Sequence, residues 1–164
     1  LHMERFLQLV KEANRAFETA DHLAYVTYPL VNDNKLIISI AENLFKALTT
    51  GMEAILYYDR LYKRIMHLPT DFNSKLEVFK QNSIHRYNIG REIVQVINEL
   101  AEVVDARGKS SIEFQRKNKF VICSNDYKLK TLTINKIKEQ INLSKPFMNK
   151  LNIVYNQNVR RFRI

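Results

Sequence analysis

Residues 35–66 read KLIISIAENLFKALTTGMEAILYYDRLYKRIM, and their spacing decides the fold. Ile37, Leu44, Gly51, Tyr58 and Ile65 recur every seven residues, and Ala41, Leu48, Ile55 and Tyr62 fill the alternating positions. Such a repeat is a seam for lengthwise helix packing, so it predicts one long helix over about 35–66. Gly51 stands in the middle of that seam. A glycine there costs about 1 kcal/mol of helix stability relative to Ala, which points to a neighbouring helix that approaches closely. Leu36, Ile38, Ile40, Leu56 and Leu61 lie off the seam. A helix that is apolar nearly all round is either central or in contact with a second copy, so a homodimer through the long helices is expected.

Upstream, Phe6, Leu9, Val10, Ala13, Phe17, Ala20, Leu23 and Ala24 make one helical face over about 4–27. Pro29 disfavours helical geometry at Tyr28 and predicts a stop there. Downstream, Pro69 and Asp71 separate a third helix over about 72–104, marked by Leu76, Phe79, Ser83, Tyr87, Gly90, Val94, Ile97, Ala101 and Val104. Residues 105–111 read as a linker. Beyond it the period changes to alternation over 112–116, 119–123 and 128–132, which predicts a hairpin or three-stranded meander. Thr133 caps a short helix over about 134–141, Asn142-Leu143 forms a tight turn, and Ser144 caps a last helix with Pro146 in its first turn. The expected fold is mainly α. An antiparallel bundle of three long helices occupies 4–106, and a basic module over 109–164 holds the small sheet and two short C-terminal helices.

Net charge is +9 over 164 residues, and it is unevenly placed. Residues 109–164 hold 13 Lys and Arg against three acids, whereas the remainder carries a net charge of −1. That asymmetry points to an acidic partner, with DNA or RNA ahead of a membrane surface. The single Cys123 excludes an internal disulfide framework and a cysteine-rich zinc site. The three glycines are isolated, so no phosphate loop is encoded, and no cofactor, metal or catalytic constellation is expected. No apolar run reaches the roughly 20 residues that span a bilayer. Leu1-His2-Met3 reads as a cloning remnant ahead of Met3, and a cytoplasmic protein is the default expectation.

Ile137, Ile141, Leu143, Met148 and Leu151 are spaced in a way that resembles the helix-turn-helix motif of DNA-binding proteins. The resemblance covers about 134–156. Lys138 and Asn142 stand where that motif carries a small residue and a glycine. It implies that the second helix reads nucleic acid with an outward stripe of Lys145, Asn149, Asn152 and Asn156. Lys136, Lys150, Arg160 and Arg161 would add phosphate contacts, with Lys117, Lys119, Lys128 and Lys130 from the sheet.

Two other readings stand beside this one. Arg60 and His67 are spaced in a way that resembles the ribonuclease signature of HEPN helical-bundle proteins, which implies RNA cleavage by a residue pair; Leu61 stands where a polar residue is usual. A protein-interaction scaffold, with the basic part packed on an acidic partner, needs no nucleic acid at all. Tyr57, Tyr58 and Tyr62 on the long helix read as core rather than as a base-stacking platform.

Overall fold

The computed structural model describes residues 2–108, 110–116, 119–124 and 129–162. The chain is mainly helical. It begins with α1 (His2–His22), which continues through a π-helical turn at Leu23–Thr27 into α2 (Tyr28–Val31). Pro29 therefore does not end the helix. The wider π turn closes with the Tyr28 N–H on the Leu23 carbonyl, and Pro29 takes one of the first positions of the next segment, where its missing N–H costs little. The stop comes instead at Asn32, whose left-handed φ of 53° suits Asn better than most residues.

The long helix α3 spans Lys35–Leu61. It lies antiparallel to α1, since Phe6 near the start of α1 meets Tyr58 near the end of α3 at 4.9 Å between rings. Helix α3 ends one turn earlier than its periodicity predicts. Lys63 adopts φ 56°, the Lys63 N–H bonds the Arg60 carbonyl, and the Arg64 N–H reaches back to the Asp59 carbonyl at 2.8 Å. That pair of bonds is a Schellman cap, with lysine where glycine is usual.

The expected third long helix is broken. Helix α4 (Phe72–Val78) is capped by Asp71, whose carboxylate accepts the Ser74 N–H at 2.9 Å. It passes through a second π-helical turn, Phe79–Ser83, into α5 (Ile84–Arg86). A second Schellman cap then closes the segment, with Asn88 at φ 51° and the Ile89 N–H on the Ile84 carbonyl. Only after this corner does α6 (Glu92–Gly108) run back antiparallel to α3, where Arg107 pairs with Glu42 at 2.6 Å.

Strands β1 (Ser110–Arg116), β2 (Lys119–Ser124) and β3 (Leu129–Thr133) form an antiparallel meander in that order. Phe120 pairs with Leu132 in register, and both are buried together with Ile122 against the helices. These residues belong to the same apolar cluster as the long helices, so bundle and sheet share one core.

The largest correction concerns the C-terminus. The two short helices joined by a turn at Asn142-Leu143 are a single helix, α7 (Ile134–Phe162). Thr133 does cap it, accepting the Lys136 N–H at 3.1 Å. Ser144, however, does not cap a second helix; its Oγ donates to the Gln140 carbonyl one turn back, at 2.7 Å. Pro146 lies inside the helix, and the carbonyl it deprives belongs to Asn142, an exposed residue. Packing holds the helix continuous. Ile137, Ile141, Phe147, Met148 and Leu151 are all at most 3% exposed. A β-carbon on Gly51 would meet the Phe147 ring at 2.9 Å, which is the close helix approach that glycine implies.

Helix α7 thus joins the bundle antiparallel to α1 and to α6. The first relation is fixed by Asn14–Asn152 and Tyr25–Asn142, the second by the Gln140 amide on Glu99 together with Pro146 and Phe147 beside Ile93. With this fourth layer in place, Ile38, Ile40 and Leu56 of α3 are buried within the chain. Of the apolar residues from which a second copy is expected, Leu36 and Leu61 stay half-buried.

Candidate nucleic-acid interface

The predicted stripe on α7 is only partly outward. Lys145, Asn149 and Asn156 are exposed, as are Arg160 and Arg161 in the last turn. Asn152 is turned inward, where its amide exchanges hydrogen bonds with the Asn14 amide at 2.7 and 3.0 Å and donates to the Met148 carbonyl. Lys145 and Lys138 both approach the Tyr25 ring, at 5.9 and 5.0 Å from its centroid. Lys136 is shared between Glu99 and Glu139 at 3.6 Å each, so two acids offset its charge. Lys117 and Lys128 lie outside the described residues, as does the side chain of Lys130, while Lys119 is exposed at the start of β2.

Sequence reasoning missed a denser cluster at the end of α3. Asp59 is 0% exposed, a charge that must be paired to be tolerated there. The Tyr87 O–H donates to its Oδ1 at 2.5 Å, and the Ser83 hydroxyl donates to its Oδ2 at 3.1 Å. Arg64 and Arg86 approach Oδ1 at 3.4 and 3.8 Å. The two Schellman caps build this geometry. One returns Arg64 over Asp59, and the other sets Tyr87 at the corner after α5; the π-helical turn carries Ser83.

The electrostatics follow from the packing. Burial, then the hydrogen bond to Asp59, push the Tyr87 hydroxyl well above the ordinary tyrosine range, so it stays a proton donor. Burial works against the charge of Arg64, but Tyr87 and Asp59 outweigh it and raise its pKa. The guanidinium also lies 5.6 and 5.3 Å from the ring centres of Tyr58 and Tyr62. Burial and then Tyr58 push the Tyr62 hydroxyl above its ordinary range, with the charge of Arg161 from α7 opposing them. Beside them opens a cleft of ≈ 270 Å³, lined by Tyr58, Arg64, Tyr87, Lys150, Ile153 and Gln157 among others. Arg64 and Arg86 thus share one buried carboxylate, and Lys150 lines the cleft beside Arg64 from α7.

No family model, no curated protein and no solved structure matches the chain. The cluster itself therefore has to carry the functional reading.

The remaining candidates are less organised. Arg60 and His67 are both exposed, and no bond joins them among the described residues. Among the described residues there is also no group of three or more His, Cys, Asp or Glu placed to hold a metal ion. No helix among them is long and apolar enough to cross a membrane.

Proposed function

We propose that this protein binds nucleic acid without cleaving it, through a basic surface that runs along α7 and ends at the Arg64 cleft. The observation that carries the reading is the pairing of two cations, Arg64 and Arg86, with the one buried carboxylate of Asp59, beside a cleft that Lys150 lines from α7. Exposed Lys145, Asn149, Asn156 and Arg160 extend that surface along the same helix. Phosphate contacts of this kind supply affinity and position; they carry little sequence information. With Asn152 committed to Asn14, two asparagines remain for base edges, which favours weak sequence preference.

The test is fluorescence anisotropy with labelled duplex DNA and single-stranded RNA over a salt series. Four to five phosphate contacts give a slope of log K against log salt of roughly −3.5 to −4.5 on duplex DNA and roughly −3 to −3.5 on a single strand. Changing Lys145, Lys150, Arg160 and Arg161 to Glu together abolishes binding on this reading, and unchanged affinity at moderate salt rules it out. Removing 109–164 is not a usable control, because Phe147 and Leu151 belong to the shared core.

A further inference from the structure

We propose that the Arg64 cleft is a site for a phosphomonoester dianion, supplied by the terminal phosphate of a nucleic-acid strand; that source rests on the nucleic-acid reading above. Arg64 is held from several sides. Its backbone N–H bonds the Asp59 carbonyl, its Nη1 donates to the Tyr87 hydroxyl at 3.0 Å and to Asp59, and two tyrosine rings flank it. The remaining guanidinium nitrogens have no hydrogen-bond partner among the described residues. An arginine fixed on one edge and free on the other is a pre-organised fork, which loses little freedom when it meets a planar or tetrahedral anion.

Lys150 lines the same cleft from α7 and has no carboxylate partner among the described residues. Two cations thus line one concavity, while Asp59 lies beneath Arg64 with its bonds directed at Tyr87, Ser83 and the arginines, and Glu92 lines the neighbouring pocket that Lys150 also borders. A phosphomonoester carries a charge of about −1.5 to −2 at pH 7 with three acceptor oxygens, which matches two converging cations. A backbone phosphodiester carries one charge and a chain leaving in both directions, and it suits the convex face of α7 better. At ≈ 270 Å³ the cleft falls just below the roughly 300–1,000 Å³ of sites for larger ligands, so it has room for a phosphate and its sugar. Tyr62, 44% exposed beside Arg64, offers a ring for the base that follows.

The experiment compares one single-stranded oligonucleotide carrying a 5′-phosphate, a 3′-phosphate or hydroxyl ends, by anisotropy at fixed salt. Thermal shifts with adenosine 5′-monophosphate against adenosine run in parallel. One phosphorylated form is expected to bind about tenfold tighter than the hydroxyl form. Lys150→Gln, at a half-buried position outside the core, is expected to erase that difference. Arg64→Lys, which keeps the charge and loses the fork, is expected to reduce it. A preference that survives Lys150→Gln overturns the assignment to this cleft. Equal binding of all strands, with a Lys150-dependent shift from the mononucleotide alone, keeps the phosphomonoester site and overturns the strand end as its source. Equal binding and no such shift overturn the proposal outright. In that case salt-dependent binding of the hydroxyl strand decides separately whether the nucleic-acid reading stands.

Discussion

Tyr87→Phe removes one oxygen and tests the architecture of the cluster. That oxygen makes two hydrogen bonds, donating to Asp59 at 2.5 Å and accepting from Arg64 at 3.0 Å. The first goes to a fully buried carboxylate and is worth about 2 kcal/mol. The second involves a guanidinium whose side chain is 34% exposed, so water replaces much of it and about 0.5 kcal/mol is lost. The variant should therefore be less stable by about 2.5 kcal/mol in urea at neutral pH. For a chain of this size that is roughly a 5–10 °C fall in Tm. The pH dependence supplies an internal check. The Tyr87 pKa is raised in the folded state, so its contribution is complete below the unfolded tyrosine pKa of about 10 and declines as pH rises above it. The gap between wild type and Tyr87→Phe should narrow from about pH 10 upward. A loss under about 0.5 kcal/mol, with a gap that does not change with pH, would show that the hydroxyl is solvated and that the cluster does not hold Asp59 as described.

Three further outcomes are expected. Lys63→Gly relieves a left-handed backbone at the end of α3 and should stabilise the protein by about 0.5–1 kcal/mol in urea; a loss would assign the lysine side chain a contact of its own. Gly51→Val places a branched side chain where the Phe147 ring stands 2.9 Å from an ideal Cβ, and overpacking should cost about 2–3 kcal/mol, read from the denaturation midpoint. A neutral result would mean that α7 moves aside easily. Asn152→Ala breaks the paired amides with Asn14 and should cost about 1–2 kcal/mol while leaving nucleic-acid affinity unchanged in the anisotropy assay, since that side chain faces α1. Weakened binding with unchanged stability would instead return Asn152 to the interface.

The parts of the fold that were legible in the sequence are those written in local repeats. The seam from Ile37 to Tyr58 is buried as its period predicts, and the strands fall within two residues of their alternating runs. Asp71 and Thr133 cap where their side chains suggest. Elements set by tertiary context were not legible. Ser144 and Pro146 spell a helix start by local chemistry, yet the same residues fit a helix interior when Phe147 and Leu151 are held against Gly51. Lys63 gives no sign of a left-handed cap, because the conformation is imposed by the Arg64 amide on Asp59. The corner at Asn88 and Ile89 hides in a continuous apolar rhythm. The α7 cations of the candidate surface were readable from charge. The Asp59 cluster was not, since Ser83 and Tyr87 lie 24 and 28 residues from it in the chain. Tyr58 and Tyr62 divide accordingly: the first is 8% exposed and in the core, the second opens toward solvent beside Arg64.

The position of α7 also governs the order in which this protein is made. Gly51 is shaped to receive Phe147, and about a hundred residues separate the two. At roughly 5–20 residues per second on the ribosome, the groove along α3 emerges and waits on the order of 5–20 s before its cover is synthesised. Throughout that interval the nascent chain shows an apolar face with no partner of its own. A nascent chain arrested after residue 108 should therefore be held by a ribosome-associated chaperone more tightly than the chain that carries α7.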